Sequence, residues 1–323
     1  MGDPAGISPE LTAKLVALDE ARAAARLIVV GDKRVFDAGA AVANVAVEMD
    51  VLGADDAIPP DSGQPVFVDL KHLDPAAVVR GVASREGGRF ALDNYRHALQ
   101  LVTSGQAQAV CFTPFNKQAM RLADPFYDDE IGFTAGVLGT TGAATEFNVL
   151  EGLWNARVTS HVPLAKVAAL LTTDAIVGAL ELTVTALRAA GFEPPRIAVA
   201  AFNPHAGDGG NFGREEIDVI APAVLRAKAK GIGVEGPFPA DTVFVRARRG
   251  DFDAVLTMYH DQGQIAMKLM GFDRGVTLLG GFPFPICTPA HGTAYEIAGK
   301  GIANLGAARA ALLLAAEMAV RAR

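Results

Sequence analysis

The sequence predicts an α/β protein. Three observations carry that reading. Short apolar runs rich in β-branched residues, such as Leu27-Ile28-Val29-Val30 and Ala254-Val255-Leu256-Thr257, are bounded by polar and glycine-bearing loops. Strands buried on both faces of a largely parallel sheet read this way. Longer segments with apolar residues at helical spacing alternate with these runs, as in α/β folds. Finally, half of the 323 residues are hydrophobic while only 7% are aromatic, a composition suited to small side chains packed between helices and a sheet.

In chain order, Gly2-Asp3-Pro4-Ala5-Gly6-Ile7 is a glycine-bearing loop. Ser8-Pro9-Glu10 then starts a helix, with Ser8 as N-cap, proline at the first helical position and an acid in the first turn. A loop of this kind ordinarily follows a strand, so one is expected upstream of residue 1. The loop's backbone N–H groups could hold an anion or a nucleotide, or simply close a tight turn. Arg26–Gly31 reads as a strand, followed by a short helix, and Val45–Met49 and Val66–Leu70 read as further strands. Ser84–Ser104 is a helix with Phe90, Tyr95, Leu99 and Val102 inward, closed by Gly105. His72 and His97 read as surface or packing residues. Ala109–Phe112 is a strand, and Lys117 just beyond it suits a carboxylate or phosphate, or only solvent. The glycine-rich stretch 124–145 marks a crossing between lobes.

Val149–Val162 reads as strand, Asp174–Ala190 as helix, and the run from Ile197 as a strand that ends at His205. The loop from His205 to Arg214 leads into a helix over Glu215–Lys230, and Gly236–Thr242 reads as a loop ending at a helix start. Strands at Ala254–Thr257 and Val276–Leu279 follow, then a Pro/Gly loop over Gly280–Pro289, a helix beginning at Ala290–Glu296 and a closing Ala/Leu-rich helix from Ala303. No G-x-G-x-x-G fingerprint is present, which disfavours a Rossmann dehydrogenase.

The net charge of −7 argues against nucleic-acid and membrane-surface roles, which call for basic patches. No apolar run reaches the roughly 18–20 residues of a membrane span. Two cysteines are too few for a disulfide framework and suit a reducing cytoplasm.

Three of the six histidines stand just after apolar runs: His161 after Arg157-Val158-Thr159-Ser160, His205 after Ile197–Pro204, and His260 after Ala254–Tyr259. In open α/β sheets, ligands bind at the carboxyl ends of strands. Three imidazoles with an open position can hold a catalytic divalent ion. Their wide spacing leaves a second reading open, in which each ring is hydrogen-bonded where it sits.

The ordered set Gly2–Glu10, Asn203-Pro204-His205-Ala206-Gly207, Pro239-Ala240-Asp241-Thr242, Tyr259-His260-Asp261-Gln262-Gly263 and His291-Gly292-Thr293-Ala294 resembles the 4-hydroxythreonine-4-phosphate dehydrogenase family of vitamin B6 (pyridoxine) biosynthesis. The resemblance covers nearly the whole chain. It implies a three-layer α/β/α fold like that of isocitrate and isopropylmalate dehydrogenases, in two lobes with a central cleft. The lobes are expected at residues 1–125 plus 285–323 and at 126–284, the latter carrying the metal histidines and dimer contacts. It also implies a homodimer whose active site lies at the subunit interface, with a divalent metal on His161, His205 and His260 (Zn2+ first, with Mg2+, Co2+ or Mn2+ as alternatives). NAD or NADP takes the hydride from a secondary alcohol, and the resulting β-keto acid loses carbon dioxide. Lys268 falls on the substrate lysine, and Gly2, Asp3, Gly6 and Asn203 are the expected cofactor contacts. Asp241 or Asp261 would orient a histidine or relay a proton.

Three substrate-side positions depart from the family pattern. Its Gly-His-Thr is matched by Gly132-Phe133-Thr134, its substrate asparagine by Thr277, and its phosphate-side arginine by Ile286. Losing a bidentate arginine removes a clamp worth about 2–3 kcal/mol. The expectation is therefore a paralogue with an altered pocket, acting on a different hydroxy acid or a cis-dihydrodiol, including unphosphorylated ones. The rivals are a three-histidine zinc hydrolase or lyase without NAD, an interaction protein with structural histidines, and a phosphate acyltransferase.

Overall fold

The computed structural model describes residues 1–60 and 63–322. Its strands in chain order are β1 (Ile28–Gly31), β2 (Asp50–Gly53), β3 (Val66–Asp69), β4 (Val110–Cys111), β5 (Thr145–Leu150), β6 (Leu153–Arg157), β7 (Ile197–Ala200), β8 (Val234–Phe238), β9 (Ala254–Thr257), β10 (Val276–Gly280) and β11 (Ile286–Pro289). With their flanking helices they make the α/β fold the sequence predicts. Two compact units divide the chain: Met1–Gly142 with Phe282–Arg321, and Ala143–Gly281.

In the first unit β1, β3 and β2 lie side by side in that order, all parallel, and β4 pairs with β11 in parallel. The helices Ser8–Ala17 and Lys33–Ala43 bury Val16, Phe36 and Ala40 against Val29 and Phe67. The strand expected at Val45–Met49 lies at Asp50–Gly53 instead. The alternating Val45, Val47 and Met49 pack on the Phe36–Phe67 cluster, so their pattern reports packing rather than pairing. The helix Arg85–Thr103 is capped by Ser84, whose hydroxyl accepts the Gly87 N–H, and it buries Phe90, Tyr95, Leu99 and Leu101. Leu101 takes the inward place expected for Val102.

A helix at Glu130–Leu138 packs on Arg85–Thr103. The Tyr95 and Thr134 hydroxyls are hydrogen-bonded at 2.6 Å, and the Phe133 ring stacks on Tyr95 with centroids 5.6 Å apart. That packing carries residues 126–142 with the first unit, so the division falls after Gly142 rather than after residue 125. Residues 290–294 do not begin a helix. A single 3-10 turn forms at Tyr295–Ile297 and the last helix is Gly306–Arg321. Within this unit a cavity of about 670 Å3 is lined by β1, by residues 106–113 around β4 and by Leu15, Leu101 and Leu312. Among the described residues β1 and β4 each have a single strand neighbour.

The second unit contains the order β10-β5-β6-β9-β7-β8. β5 runs antiparallel to both β10 and β6, while β6, β9, β7 and β8 are mutually parallel. The apolar stretch expected as one strand over Val149–Val162 folds back as a hairpin. Gly152, at φ +75°, supplies the left-handed turn residue that a side chain would strain. β9 is buried along its whole length. On it pack the helices Ala240–Arg248 and His260–Gly271, which contribute Val243, Phe244 and Met267 to the core. Gly263 allows the close approach, since a Cβ there would lie 2.2 Å from the Asn155 side-chain oxygen. The segment expected as a loop at Gly236–Phe238 is the end of edge strand β8, where a proline costs no ladder bond.

Candidate functional site

The parallel strands β6, β9 and β7 are immediate neighbours with β9 in the middle, and their carboxyl ends lead to His161, His260 and His205 respectively. A sheet thus delivers three imidazoles to one end of three adjoining strands, the place where α/β sheets bind ligands. The His161 and His260 rings lie 5.7 Å apart, centroid to centroid. His205 does not join them. It opens a run of left-handed residues, His205 (φ 52°), Ala206, Gly207, Asp208 and Gly209, that turns its ring toward Phe212 at 6.1 Å. Among the described residues, no three His, Cys, Asp or Glu side chains of one chain are disposed to hold a metal ion. Within one chain the structure thus brings together two of the three rings, those of His161 and His260.

Those two have the chemistry a divalent ion requires. His260 begins the helix His260–Gly271, and its Nδ1 is 2.6 Å from Oδ1 of Asp261. A carboxylate on Nδ1 fixes the tautomer and leaves Nε2 as the donor to a metal. Asp261 is thus the acid that touches a histidine. Asp241 lies exposed in the first turn of Ala240–Arg248, with no hydrogen bond to one.

The histidine-bearing segments are tied to one another beneath the rings. The Met258 N–H donates to Oε1 of Gln262 at 2.7 Å, and the Gln262 amide donates to the Ala201 carbonyl at 2.7 Å, joining the end of β9 to the end of β7. The Thr159 hydroxyl donates to the Met258 carbonyl at 2.8 Å, joining β9 to the His161 segment. Ahead of His205, the buried Glu216 carboxylate accepts the Phe202 and Asn203 N–H groups at 2.8 and 2.7 Å and the Asn203 side-chain amide at 2.9 Å. Burial works against that charge, yet the bonds from Asn203 and Phe202 outweigh it and hold the carboxyl below its usual range. The Asn203 amide also donates to Glu215. It serves the loop, which accounts for Asn203 without a cofactor.

Lys268 is exposed on the His260 helix, two turns beyond the histidine, and has no ion-pair partner among the described residues. Gln264 lies between them on the same face and donates to Oδ1 of Asn148 at 2.7 Å. Thr277 on β10 is paired in register with Asn148 and half-buried. Both belong to the unit that carries the three histidines.

The other expected contacts lie in the first unit, and most are closed to a ligand. Thr134 is 0% exposed, its hydroxyl donating to the Glu130 carbonyl and bonded to Tyr95. Phe133 packs with Tyr95 and Tyr127 beneath the Arg96 guanidinium. Ile286 is 0% exposed on β11, an apolar core residue where a clamp would need to face solvent. Lys117 is paired with Glu130 at 3.1 Å.

The Gly2–Ile7 loop is likewise self-satisfied. The Gly2 N–H donates to the Ser8 and Thr113 hydroxyls, Asp3 N–H to the Pro114 carbonyl, Ala5 N–H to the Asp3 carboxylate, Gly6 N–H to the Asp3 carbonyl and Ile7 N–H to the Thr293 carbonyl. Ser8 is therefore no N-cap; its hydroxyl is turned back into the loop. Asp3, 1% exposed, has its pKa raised by burial and also accepts the Tyr295 hydroxyl. These residues do not form the open nest that a nucleotide phosphate would need, so Gly2, Asp3 and Gly6 are structural here.

Fold and site together define an α/β protein that presents imidazoles at the ends of adjoining parallel strands, one of them oriented by a carboxylate. The chain belongs to the family of the pyridoxal phosphate biosynthetic protein PdxA, whose profile matches residues 23–315. It is 62% identical over 323 residues to the "Putative 4-hydroxythreonine-4-phosphate dehydrogenase 2" of Rhizobium meliloti (strain 1021), covering 100% of this chain and 93% of that one. It is 36% identical over 321 residues to the D-threonate 4-phosphate dehydrogenase of Pectobacterium atrosepticum, covering 99% and 98%. A crystal structure of 4-hydroxythreonine-4-phosphate dehydrogenase from Klebsiella pneumoniae superposes with a TM-score of 0.84 at 35% identity, covering 99% and 98%.

Sequence reasoning missed Glu216, Arg157 and Tyr295. The available signal was a charge inside an apolar run for Arg157. For Tyr295 there was none, because its partner Asp3 lies at the other end of the chain, and for Glu216 none, because its partners Phe202 and Asn203 are met only after the intervening loop folds back.

Proposed function

We propose that the protein is a metal-dependent, NAD-linked dehydrogenase that oxidises the secondary alcohol of a phosphorylated hydroxy acid and releases carbon dioxide from the β-keto acid formed. The single observation that carries the reading is the His161–His260 pair at neighbouring strand ends with Asp261 on His260. A bound divalent ion, with zinc first in order, lowers the pKa of a coordinated hydroxyl and polarises the carbonyl that replaces it. The chain's own groups set that up. His161 and His260 would hold the ion, Asp261 accepts the His260 Nδ1 proton and so leaves Nε2 free to donate, and Lys268 offers an ammonium to a carboxylate or phosphate of the substrate.

In this reading His205 completes the ligand set in a homodimer. The exposed large apolar side chains close in sequence to the histidines, Leu164, Phe212, Ile217, Ile265 and Leu269, support a second copy seated there, since apolar surface is favourably removed from water. The cytoplasm is the proposed compartment, in keeping with free Cys111 and Cys287. Among the described residues no single helix is long and apolar enough to cross a membrane.

A second reading keeps the chemistry and changes the substrate to an unphosphorylated hydroxy acid or cis-dihydrodiol. It is favoured by Ile286, buried where the family pattern has an arginine. One assay separates these readings from the NAD-free rivals. The metal-loaded protein is given NAD with 4-phosphohydroxythreonine, D-threonate 4-phosphate, their unphosphorylated counterparts or a cis-dihydrodiol, and NADH is followed. Turnover of a phosphorylated acid is expected. Turnover only of unphosphorylated substrates would establish the second reading, and no NADH from any of them would sink both.

A further inference from the structure

A guanidinium is buried behind the histidine pair. Arg157 ends β6 and is 3% exposed, so desolvation lowers its pKa while Glu146 works to raise it. Its Nη2 donates to Glu146 Oε2 at 2.6 Å, its Nη1 to Asn148 Oδ1 at 2.6 Å and its Nε to the Ser160 hydroxyl at 3.0 Å. The same Asn148 oxygen accepts the Gln264 amide at 2.7 Å. Ser160 is the residue before His161, and Gln264 lies one helical turn after His260.

A buried ion pair is weak evidence of a stabilising role. The desolvation of a buried ion pair commonly offsets its attraction, and an apolar pair of similar volume is often no less stable. The arrangement does explain geometry. A planar fork with donors in fixed directions grips the His161 segment with one nitrogen. With another it grips, through Asn148, the helix that carries His260.

We infer that Arg157 is a positioning residue that fixes the His161 and His260 rings relative to each other through Ser160 and through Asn148 and Gln264. The inference rests on the metal-dependent reading above. It extends that reading to a residue that touches neither substrate nor metal.

The test measures Co2+ affinity by competition with a chelator, together with thermal melting, on the purified full chain. In the double variant Glu146→Leu/Arg157→Leu, melting near that of the wild type is expected, with a Co2+ dissociation constant raised about tenfold or more. Arg157→Lys keeps the charge and loses the fork, so it should fall between wild type and double variant. Ser160→Ala removes a single tie from a half-buried position and cannot unfold the sheet; it should raise the dissociation constant about threefold. Co2+ affinity unchanged in Ser160→Ala and Arg157→Lys would overturn the inference, whatever the double variant does. A wild-type chain that binds no Co2+ would instead defeat the metal-dependent reading itself.

Discussion

The Gly2–Ile7 loop and the loops after β6, β9 and β7 are both polar segments attached to α/β elements, yet they treat their polar groups in opposite ways. In the first, each backbone N–H from Gly2 to Ile7 finds an acceptor within the protein and the one carboxylate is buried. In the second, the backbone and the amide side chains beneath are tied, while His161, His205, Asp261 and Lys268 remain exposed. A loop that satisfies itself is a structural joint. A loop whose scaffold is satisfied and whose imidazoles are left over is equipped to bind something.

The largest effect should come from removing an imidazole. His260→Ala takes away a partly exposed side chain with no packing role in the core, so stability should change by no more than about 0.5 kcal/mol. Co2+ binding and NADH formation, by contrast, should drop at least about a hundredfold. Asp261→Asn should lose about ten- to a hundredfold in metal affinity, since it alters only the group that orients the ring. Isothermal titration with Co2+ beside a melting curve checks both. A His260→Ala protein that binds metal and turns over normally would erase the contrast between the two regions.

The opposite pattern is expected at Gly2. A Cβ there would sit 2.2 Å from the Thr113 carbonyl oxygen and 2.3 Å from that of Pro114. Both are backbone atoms that cannot swing aside, so Gly2→Ala should cost on the order of 2 kcal/mol. Co2+ affinity should stay at the wild-type value. Denaturant titration measures the first and chelator competition the second. Wild-type stability would show that the loop is looser than its hydrogen bonds indicate.

These two regions also divide what the sequence discloses. The strands ending at the histidines are legible because β9 and its neighbours are buried on both faces, which leaves uninterrupted apolar runs with a polar stop. His161 and His260 follow from that stop. The turn of the His205 loop does not, because it depends on Ala206 adopting left-handed backbone (φ 53°), which no local residue preference announces. Motif glycines and Asp3 invite a nucleotide, and only the partners Thr113, Pro114, Thr293 and Tyr295, far along the chain, reveal a closed joint. The substrate side misleads for a related reason. Phe133 and Ile286 stand where the family pattern has a histidine and an arginine, and the buried Ile286 and Thr134 show that aligned positions can name side chains closed to a ligand.

The smallest effect lies at Glu216, which belongs to the tied scaffold rather than to the exposed chemistry. One carboxylate oxygen accepts two backbone N–H groups and the other the Asn203 amide. Glu216→Gln can keep the first pair, but its amide then faces the Asn203 amide, donor against donor. A loss of about 1 kcal/mol at neutral pH is expected. The pH dependence gives the sign. Because the folded pKa is depressed, the carboxylate's contribution is fully present above about 4.5, the ordinary value, and is lost as pH falls through the lower folded value. The stability gap between wild type and Glu216→Gln should therefore be widest at pH 7 and should close on acidification, as read by denaturant unfolding across that range. Since Asn203 is held by this carboxylate and by Glu215, the variant should also loosen the His205 segment and weaken Co2+ binding modestly. A gap that stays constant with pH would mean that Glu216 acts through its shape and not its charge. The His205 turn would then be held by its left-handed backbone alone.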